Sequence, residues 1–315
     1  MLPHIHVGPL HLPSYSLAVL VGLIAFVVCA ILIFEKKEKR PRRVTNRVLI
    51  VSAFGFLALV ASAFFFNSLF HSIEKGRIVL GGITWLGGVL GGFPVMVLLL
   101  HRFCPAVKGE ALESFSLLVP GITLGHAFGR IGCFLGGCCY GGTTDSIFGV
   151  RFPEGSSAAL RYPAEGGGSL PVLPTQLFEA VFELLLFLFM LALYKRLKRH
   201  FLTVYFFGYG VFRFFMEFLR GDDRGATGLV LSPSQFMSLL LIALGVLLIL
   251  YRKGVILKSL RTYMAEQKER RERDGIPLTL REEKAARELE RLAKAGVITE
   301  EELAEKKATL LHKIE

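Results

Sequence analysis

Seven stretches of this chain are apolar runs approaching the thickness of a bilayer: residues 17–34, 49–70, about 80–100, 115–135, 177–194, 201–219 and 233–251. A soluble domain can bury a large core without runs of this length, whereas about 20 apolar residues of helix are what the hydrocarbon layer asks for. An unsatisfied peptide group in hydrocarbon costs several kcal/mol, and the runs lack the alternation of barrel strands, so each is expected to be a helix. The expected fold is therefore an all-α membrane protein of about seven transmembrane helices.

Charge sets the orientation. Lys and Arg number 37 against 26 Asp and Glu. They gather in EKKEKRPRRVTNR after the first run, RFCPAVKGE after the third, YKRLKRH after the fifth and YRKG after the seventh. With seven spans these four loops fall on one side, which the positive-inside rule makes cytoplasmic. The amino terminus is then outside and the carboxyl terminus inside. The first run is followed, not preceded, by its basic cluster, unlike a cleaved signal. The positive charge reads as topology, and no nucleic-acid partner is expected.

Residues 136–172 form a long outer loop rich in Gly, Pro, Ser and Thr, expected to fold as a small extracytoplasmic cap. The membrane domain is expected over 1–252, a basic linker over 253–276 and a helical pair over 277–315. Gly296 suits a helix stop, and Thr299 with Glu302 three residues on suits a capping-box start. Leu289, Leu292, Val297, Ile298, Leu303, Leu310 and Leu311 give the pair an apolar face. Its pattern resembles the short carboxy-terminal modules called SHOCT domains, which implies a homo-oligomer or partner contact and no chemistry.

Charged groups at mid-span cost roughly 2.5 kcal/mol or more on insertion scales, so each needs a reason. His126, Arg130 and Cys133 lie at i, i+4 and i+7 and share a helix face in the fourth run. Arg213, Glu217 and Arg220 share one in the sixth, and Gln176, Glu179 and Glu183 form a stripe in the fifth. Salt bridges that merely hold helices together explain any one stripe. Three stripes on three spans, all toward the outer ends, favour a site for an anionic phospholipid, because the guanidinium fork matches phosphate oxygens.

Of the five cysteines, Cys29 and Cys104 stand alone and read as packing. Cys133, Cys138 and Cys139 form a C-x4-C-C cluster at the outer end of the fourth run. An oxidising compartment allows a structural disulfide there. A reactive thiolate beside Arg130 and His126 is the equal alternative. A metal site is disfavoured at this stage, since the one further ligand nearby, His126, lies about two turns deeper; no metal and no cofactor is expected.

The stretch GRIGCF at Gly129 to Phe134, the PTQLFE opening of the fifth run and GYGVFRFFMEFLR in the sixth, in this order, resemble the prolipoprotein diacylglyceryl transferase family. The resemblance spans roughly residues 10–255. It implies a multi-pass enzyme of the bacterial inner membrane that moves diacylglyceryl from phosphatidylglycerol to a lipobox cysteine, releasing glycerol phosphate. Carried over, it marks Arg130 as the motif arginine, Tyr15 as the tyrosine opening the first span, and Gln176, Glu179, Arg213, Glu217 and Arg220 as substrate-binding positions. Cys133, Gly136 and Cys138 stand where the family has Asn, Asn and Glu. Leu86 stands where it has a histidine considered catalytic, and the span-two arginine position falls near Ala61. The resemblance thus points to a divergent, cysteine-bearing branch. In it His126 and Arg130 with Cys138 and Cys133 are the catalytic candidates: Cys138 as thiolate, or His126 as general base on an incoming acceptor. Beside a transferase with this or another acceptor, a membrane thiol-redox protein and a lipid-binding protein remain as alternatives. Arginines in two spans favour the transferase, because redox chemistry has no use for phosphate binding.

Overall fold

The computed structural model describes residues 4–7, 10–222, 227 and 230–255; the linker and helical pair expected after residue 253 lie almost wholly outside these. A short hairpin pairs β1 (His4–Val7) with β2 (Leu10–Pro13). The long helices are α1 (Ser14–Ile31, continuing as a wider turn over Leu32–Lys37), α2 (Arg42–Lys75), α3 (Trp85–Phe103), α4 (Ala111–Leu135), α6 (Thr175–Ala192), α8 (Phe201–Met216) and α9 (Pro233–Arg252). Two short pieces, α5 (Ser157–Arg161) and α7 (Tyr194–Leu197), complete the set. Seven helical segments among the described residues are long and apolar enough to cross a membrane, one for each apolar run.

Where helices and apolar runs disagree, the ends explain it. The helix α2 starts at Arg42, well before its apolar run, because Pro41 (φ −58°, ψ 142°) breaks the chain from the preceding helical turn and serves as its N-cap. In the opposite sense α3 starts only at Trp85, because Gly81 and Gly82 sit at φ 139° and 70° and keep the chain out of the helical region.

Close packing follows from small residues. A Cβ placed on Gly22 of α1 would lie 2.8 Å from the Gly125 carbonyl oxygen of α4, so these backbones touch. This leaves the rest of α4, the most enclosed of the spans, to face α3, α6 and α8. Large side chains such as Phe34, Leu118, Met190, Phe201 and Phe206 fill the interior. Leu23, Ile24, Phe54, Leu57, Val181 and Phe215 are turned outward, which suits a lipid-facing surface.

At one end, Glu38 accepts hydrogen bonds from Tyr194 Oη (2.7 Å) and Lys198 Nζ (2.9 Å), and Arg40 pairs with Glu110. The basic loops after the first, third and fifth spans therefore meet, which makes this end cytoplasmic by charge. At the other end the expected cap is folded around Tyr140, Phe152, Ala158 and Val172, with Phe134, Val150 and Tyr162 packed on them. It is tied to the end of the sixth span by pairing between Gly141 and Arg220 and by a hydrogen bond from Tyr162 Oη to the Gly221 carbonyl.

Burial acts to raise the Glu38 carboxyl, but hydrogen bonds from Lys198 and Tyr194 outweigh it and hold the group below its ordinary value. A lowered folded-state value stabilises the fold above the unfolded carboxylate range, and that stability is lost as pH falls through the folded value. Lys198 is 39% exposed, so solvent screening limits the pair to about 1 kcal/mol. Glu38→Gln is expected to lower Tm in detergent by about 2–4 °C at neutral pH. The difference is expected to close below about pH 4. Thermal unfolding across pH checks this.

Candidate active site

The face of α4 that carries His126, Arg130 and Cys133 turns toward α6 and α8. The His126 ring is stacked on Trp85 of α3, centroids 4.2 Å apart and planes inclined by 22°, with the Tyr209 ring edge-on at 5.2 Å. Its Nε2 lies 3.2 Å from Arg130 Nε, which can only donate, so Nε2 accepts and the proton belongs on Nδ1. Nδ1 donates to Glu183 Oε1 at 2.6 Å. Arg130 Nη2 reaches Glu179 Oε1 at 2.9 Å, and Tyr209 Oη donates to the same oxygen at 2.7 Å. Glu179 and Glu183 are 1% and 0% exposed, so the Oε1 of each is satisfied by these donors, while each Oε2 is buried without a partner among the described residues.

A second set lies on α8. Arg213 Nη2 pairs with Glu217 Oε2 at 2.7 Å and donates to Ser234 Oγ at 2.9 Å, while Ser232 Oγ donates to Glu217 Oε1 at 2.8 Å. These bonds fix the outer end of α8 to the start of α9. Arg220, just beyond the helix, holds Asp222 in a two-pronged pair at 2.8 and 2.7 Å. Arg213 Nη1 and Arg220 Nη1 are buried with no acceptor among the described residues. An orphaned donor of this kind costs about 1–3 kcal/mol, which a ligand oxygen would recover. Arg130 and Arg213 line one small polar cavity with Thr84, Trp85, Leu86, Tyr209 and Ser234.

Above this, α4 ends in a tight turn. Gly137 has φ 70° and Cys139, unusually for a side-chain-bearing residue, φ 64°. Gln176 Nε2 donates to the Cys138 carbonyl at 2.6 Å and Thr175 Oγ1 to the Cys139 carbonyl at 2.9 Å, pinning the turn to α6. The sulfurs of Cys133, Cys138 and Cys139 all lie within 4.8 Å of one another, as free thiols. Of the two beyond the span, hydrogen bonds with Cys133 and Cys138 hold the Cys139 thiol well below its ordinary value despite burial, with Arg220 and Arg130 adding to the effect. The Cys138 thiol is lowered by its hydrogen bond with Cys133, but the Cys139 hydrogen bond and burial outweigh this and push it up to about 12.

The sequence-expected residues thus separate into places. Arg130 and Arg213 line the cavity, with His126 and Glu179 against Arg130 and Glu217 against Arg213. Leu86 also lines that cavity. Cys133 and Cys138 sit at the outer end of α4 with Gln176, whose Nε2 donates to the turn while its Oε1 is buried without a partner among the described residues. Tyr15 is 40% exposed and packs beside Gly132, where an added Cβ would come within 3.2 Å of its ring. Arg220 is turned to Asp222. Trp85, Tyr205, Tyr209, Ser234 and Asp222 escaped the sequence reading. Tyr209 stands four residues before Arg213, a same-face spacing that could have found it, and Trp85, the single Trp, immediately precedes Leu86. Tyr205 accepts from Trp85 Nε1 at 2.8 Å and steadies the ring under which His126 sits.

Because Glu179 is buried against Arg130, breaking the pair from either side leaves an uncompensated charge. Arg130→Met and Glu179→Gln are each expected to destabilise the fold by about 3–5 kcal/mol. The double variant is expected to be less unstable than the sum, with a coupling of about 1–3 kcal/mol. Thermal unfolding of the four proteins in detergent measures it, and strict additivity would refute the hub.

The chain matches the family described as Prolipoprotein diacylglyceryl transferase over residues 3–251. A Clostridium perfringens protein named phosphatidylglycerol--prolipoprotein diacylglyceryl transferase 2 is 34% identical over 250 residues, covering 75% of this chain and 90% of that protein. The phosphatidylglycerol--prolipoprotein diacylglyceryl transferase of Dehalococcoides mccartyi is 32% identical over 258 residues, covering 78% and 92%. The one of Nitrosomonas europaea is 29% identical over 286 residues, covering 86% and 96%. With its seven membrane-crossing helices and a polar site enclosed among them, the chain belongs to the prolipoprotein diacylglyceryl transferase family, multi-pass enzymes of the bacterial cytoplasmic membrane.

Proposed function

We propose that this chain transfers diacylglyceryl from phosphatidylglycerol, or a closely related anionic phospholipid, to the thiol of a lipobox cysteine in a prolipoprotein. The observation that carries the reading is the meeting of Arg130 and Arg213, from different helices, at one small, partly open polar cavity. In the reaction the acceptor thiol loses its proton and its sulfur attacks the glyceryl carbon. The C–S bond forms, the C–O bond to phosphate breaks, and glycerol phosphate leaves with the electron pair. Negative charge grows on the phosphate oxygens as that bond breaks, so fixed guanidinium donors in a water-poor site favour the transition state.

On this reading Arg130 and Arg213 hold the phosphate, Glu179, Tyr209 and Glu217 fix their orientation, and Arg220 adds charge from the rim. His126 has both ring nitrogens engaged, by Glu183 and Arg130. It therefore acts as a positioning residue for Arg130 in the resting site. Tyr15 and Gln176 border the outer opening beside Cys133 and Cys138. An apolar groove of about 320 Å³ between α2, α3 and α9, lined by residues including Phe66, Leu90 and Leu244, suits an acyl chain. Leu90 is one turn from Leu86, so groove and cavity share a face of α3.

The cysteine cluster and Leu86 mark this chain, on the same proposal, as a cysteine-bearing branch of the family. We assign the linker and the SHOCT-like pair over 277–315 to oligomer or partner contact.

Purified protein incubated with labelled phosphatidylglycerol and a lipobox peptide is expected to yield the diacylglyceryl thioether by mass spectrometry. Arg130→Lys and Arg213→Lys, which keep the charge and lose the fork, are expected to lower kcat by about 10²-fold or more. Full activity in both would overturn the phosphate assignment, and no thioether from the unaltered chain would overturn the reading. Removing residues after Arg273 is expected to leave turnover unchanged, because the intramembrane polar groups all precede it; loss of turnover in the purified truncated protein would contradict this.

A further inference from the structure

The three-thiol cluster is not used by the phosphate site, and it is built as a ligand set. Cys133 comes from the last turn of α4, and Cys138 and Cys139 from the turn that follows. Neighbouring residues in extended chain point to opposite sides. The left-handed conformation of Cys139 (φ 64°) instead brings its thiol to the same side as its neighbour's, and all three sulfurs fall within 4.8 Å of one another. Zinc–thiolate bonds of about 2.3 Å place sulfurs about 3.8 Å apart around a tetrahedral ion, so closure asks each sulfur to move less than about 1 Å. The turn is held for this by two bonds from α6, Gln176 Nε2 to the Cys138 carbonyl and Thr175 Oγ1 to the Cys139 carbonyl.

We propose that Cys133, Cys138 and Cys139 bind a thiophilic d10 cation of the zinc class, leaving its fourth position open to the acceptor cysteine. This rests on the transferase reading above and names how the acceptor is activated. Soft thiolates select such ions. Three protein ligands with one open position are the arrangement of catalytic zinc, so no fourth side chain is required. Cys133 is buried while Cys138 and Cys139 are half-buried, which leaves the open side toward the cap surface from which a prolipoprotein arrives. Three or four thiolates on a divalent ion carry net negative charge, and Arg130 and Arg220 both act electrostatically on Cys139. The placement also addresses a gap in the site, where Leu86 occupies the histidine position of the family and cannot take a proton. In the step proposed, the acceptor S–H binds the ion and releases its proton to water at the rim. The resulting metal-bound thiolate then attacks the glyceryl carbon, the C–S bond forms, and the C–O electron pair leaves with glycerol phosphate.

The test uses the purified full chain, reduced and then loaded with Co²⁺ as a spectroscopic probe or with Zn²⁺. One equivalent of metal is expected, with sulfur-to-cobalt charge-transfer absorption. Adding a lipobox peptide is expected to shift the cobalt bands, while the same peptide with Ser for Cys is not. Removing the metal from the folded protein with a chelator is expected to lower transfer by about 10²-fold, restored by Zn²⁺. Cys133→Ser, Cys138→Ser and Cys139→Ser are each expected to weaken binding. Failure to bind metal after reduction, a disulfide between two of these cysteines in the active protein, or cobalt bands indifferent to the peptide would each overturn the proposal. If transfer proceeds at full rate in chelator, this proposal falls and the transferase reading stands; if no thioether forms even with metal bound, the transferase reading itself falls.

Discussion

A buried carboxylate organises this bundle. Glu179, 1% exposed on α6, would be untenable alone in a membrane interior, since removing such an ion from water costs several kcal/mol even after relaxation. It is sustained by Arg130 from α4 and Tyr209 from α8, with His126 near and Arg213 and Arg220 acting at longer range. Three helices are thereby required to approach at one depth and in one rotation. Helix packing in lipid has little hydrophobic driving force to choose among rotations, so an ionic hub of this kind sets the register.

The apolar architecture is arranged to let that hub exist. The backbone contact between Gly22 and Gly125 spends one side of α4 on α1 with no side chain between them. The opposite side is then free to carry long polar groups toward α6 and α8. Aromatic rings close the space around them: Trp85 covers His126, and Tyr205 stacks on Tyr209 at 5.4 Å while accepting from Trp85. The rings pack around the arginine side of the site, and Tyr209 among them supplies the hydroxyl donor to Glu179. Lowering the local polarity strengthens every charge interaction that remains.

The number and place of the spans were readable from the sequence, because apolar run length is dictated by the bilayer and not by tertiary contacts. The helix ends were not, since Pro41 and the Gly81–Gly82 pair fix them by backbone geometry beyond the apolar windows. Same-face spacing identified His126, Arg130, Arg213 and Glu217, because i, i+4 relations are local. Which cation meets which carboxylate is a matter between helices, and spacing is silent on it. The sequence grouped Arg220 with Arg213 on one stripe, yet the helix tightens over Glu217–Leu219 and turns extended at Arg220, so the third arginine leaves the face and takes Asp222. Gln176 was read as substrate-binding from the resemblance; its Nε2 donates to the Cys138 carbonyl, while its Oε1 is buried without a partner among the described residues. A contact to a backbone carbonyl across 38 residues carries no sequence pattern.

Leu86 bears on how the chemistry is divided within the site. An imidazole on α3 would bring a titratable group into the polar cavity where Arg130 and Arg213 converge; Leu86 adds none. A leucine there does nothing for deprotonation of the acceptor, which the proposed reaction needs beside departure of the phosphate. On the proposed reading the two tasks are separated in space along α4. The phosphate is held beside Arg130, while the thiol is activated further out, where Cys138 and Cys139 of the cap turn are half-buried. His126 does not undo this separation, because its imidazole is spent between Glu183 and Arg130 and its ring lies under Trp85, on the inner side of the arginine. A proton accepted there would have to cross the guanidinium that holds the leaving group. A proton released at the cysteine turn meets the aqueous face directly, so the outer position is the electrostatically cheaper place to make the nucleophile.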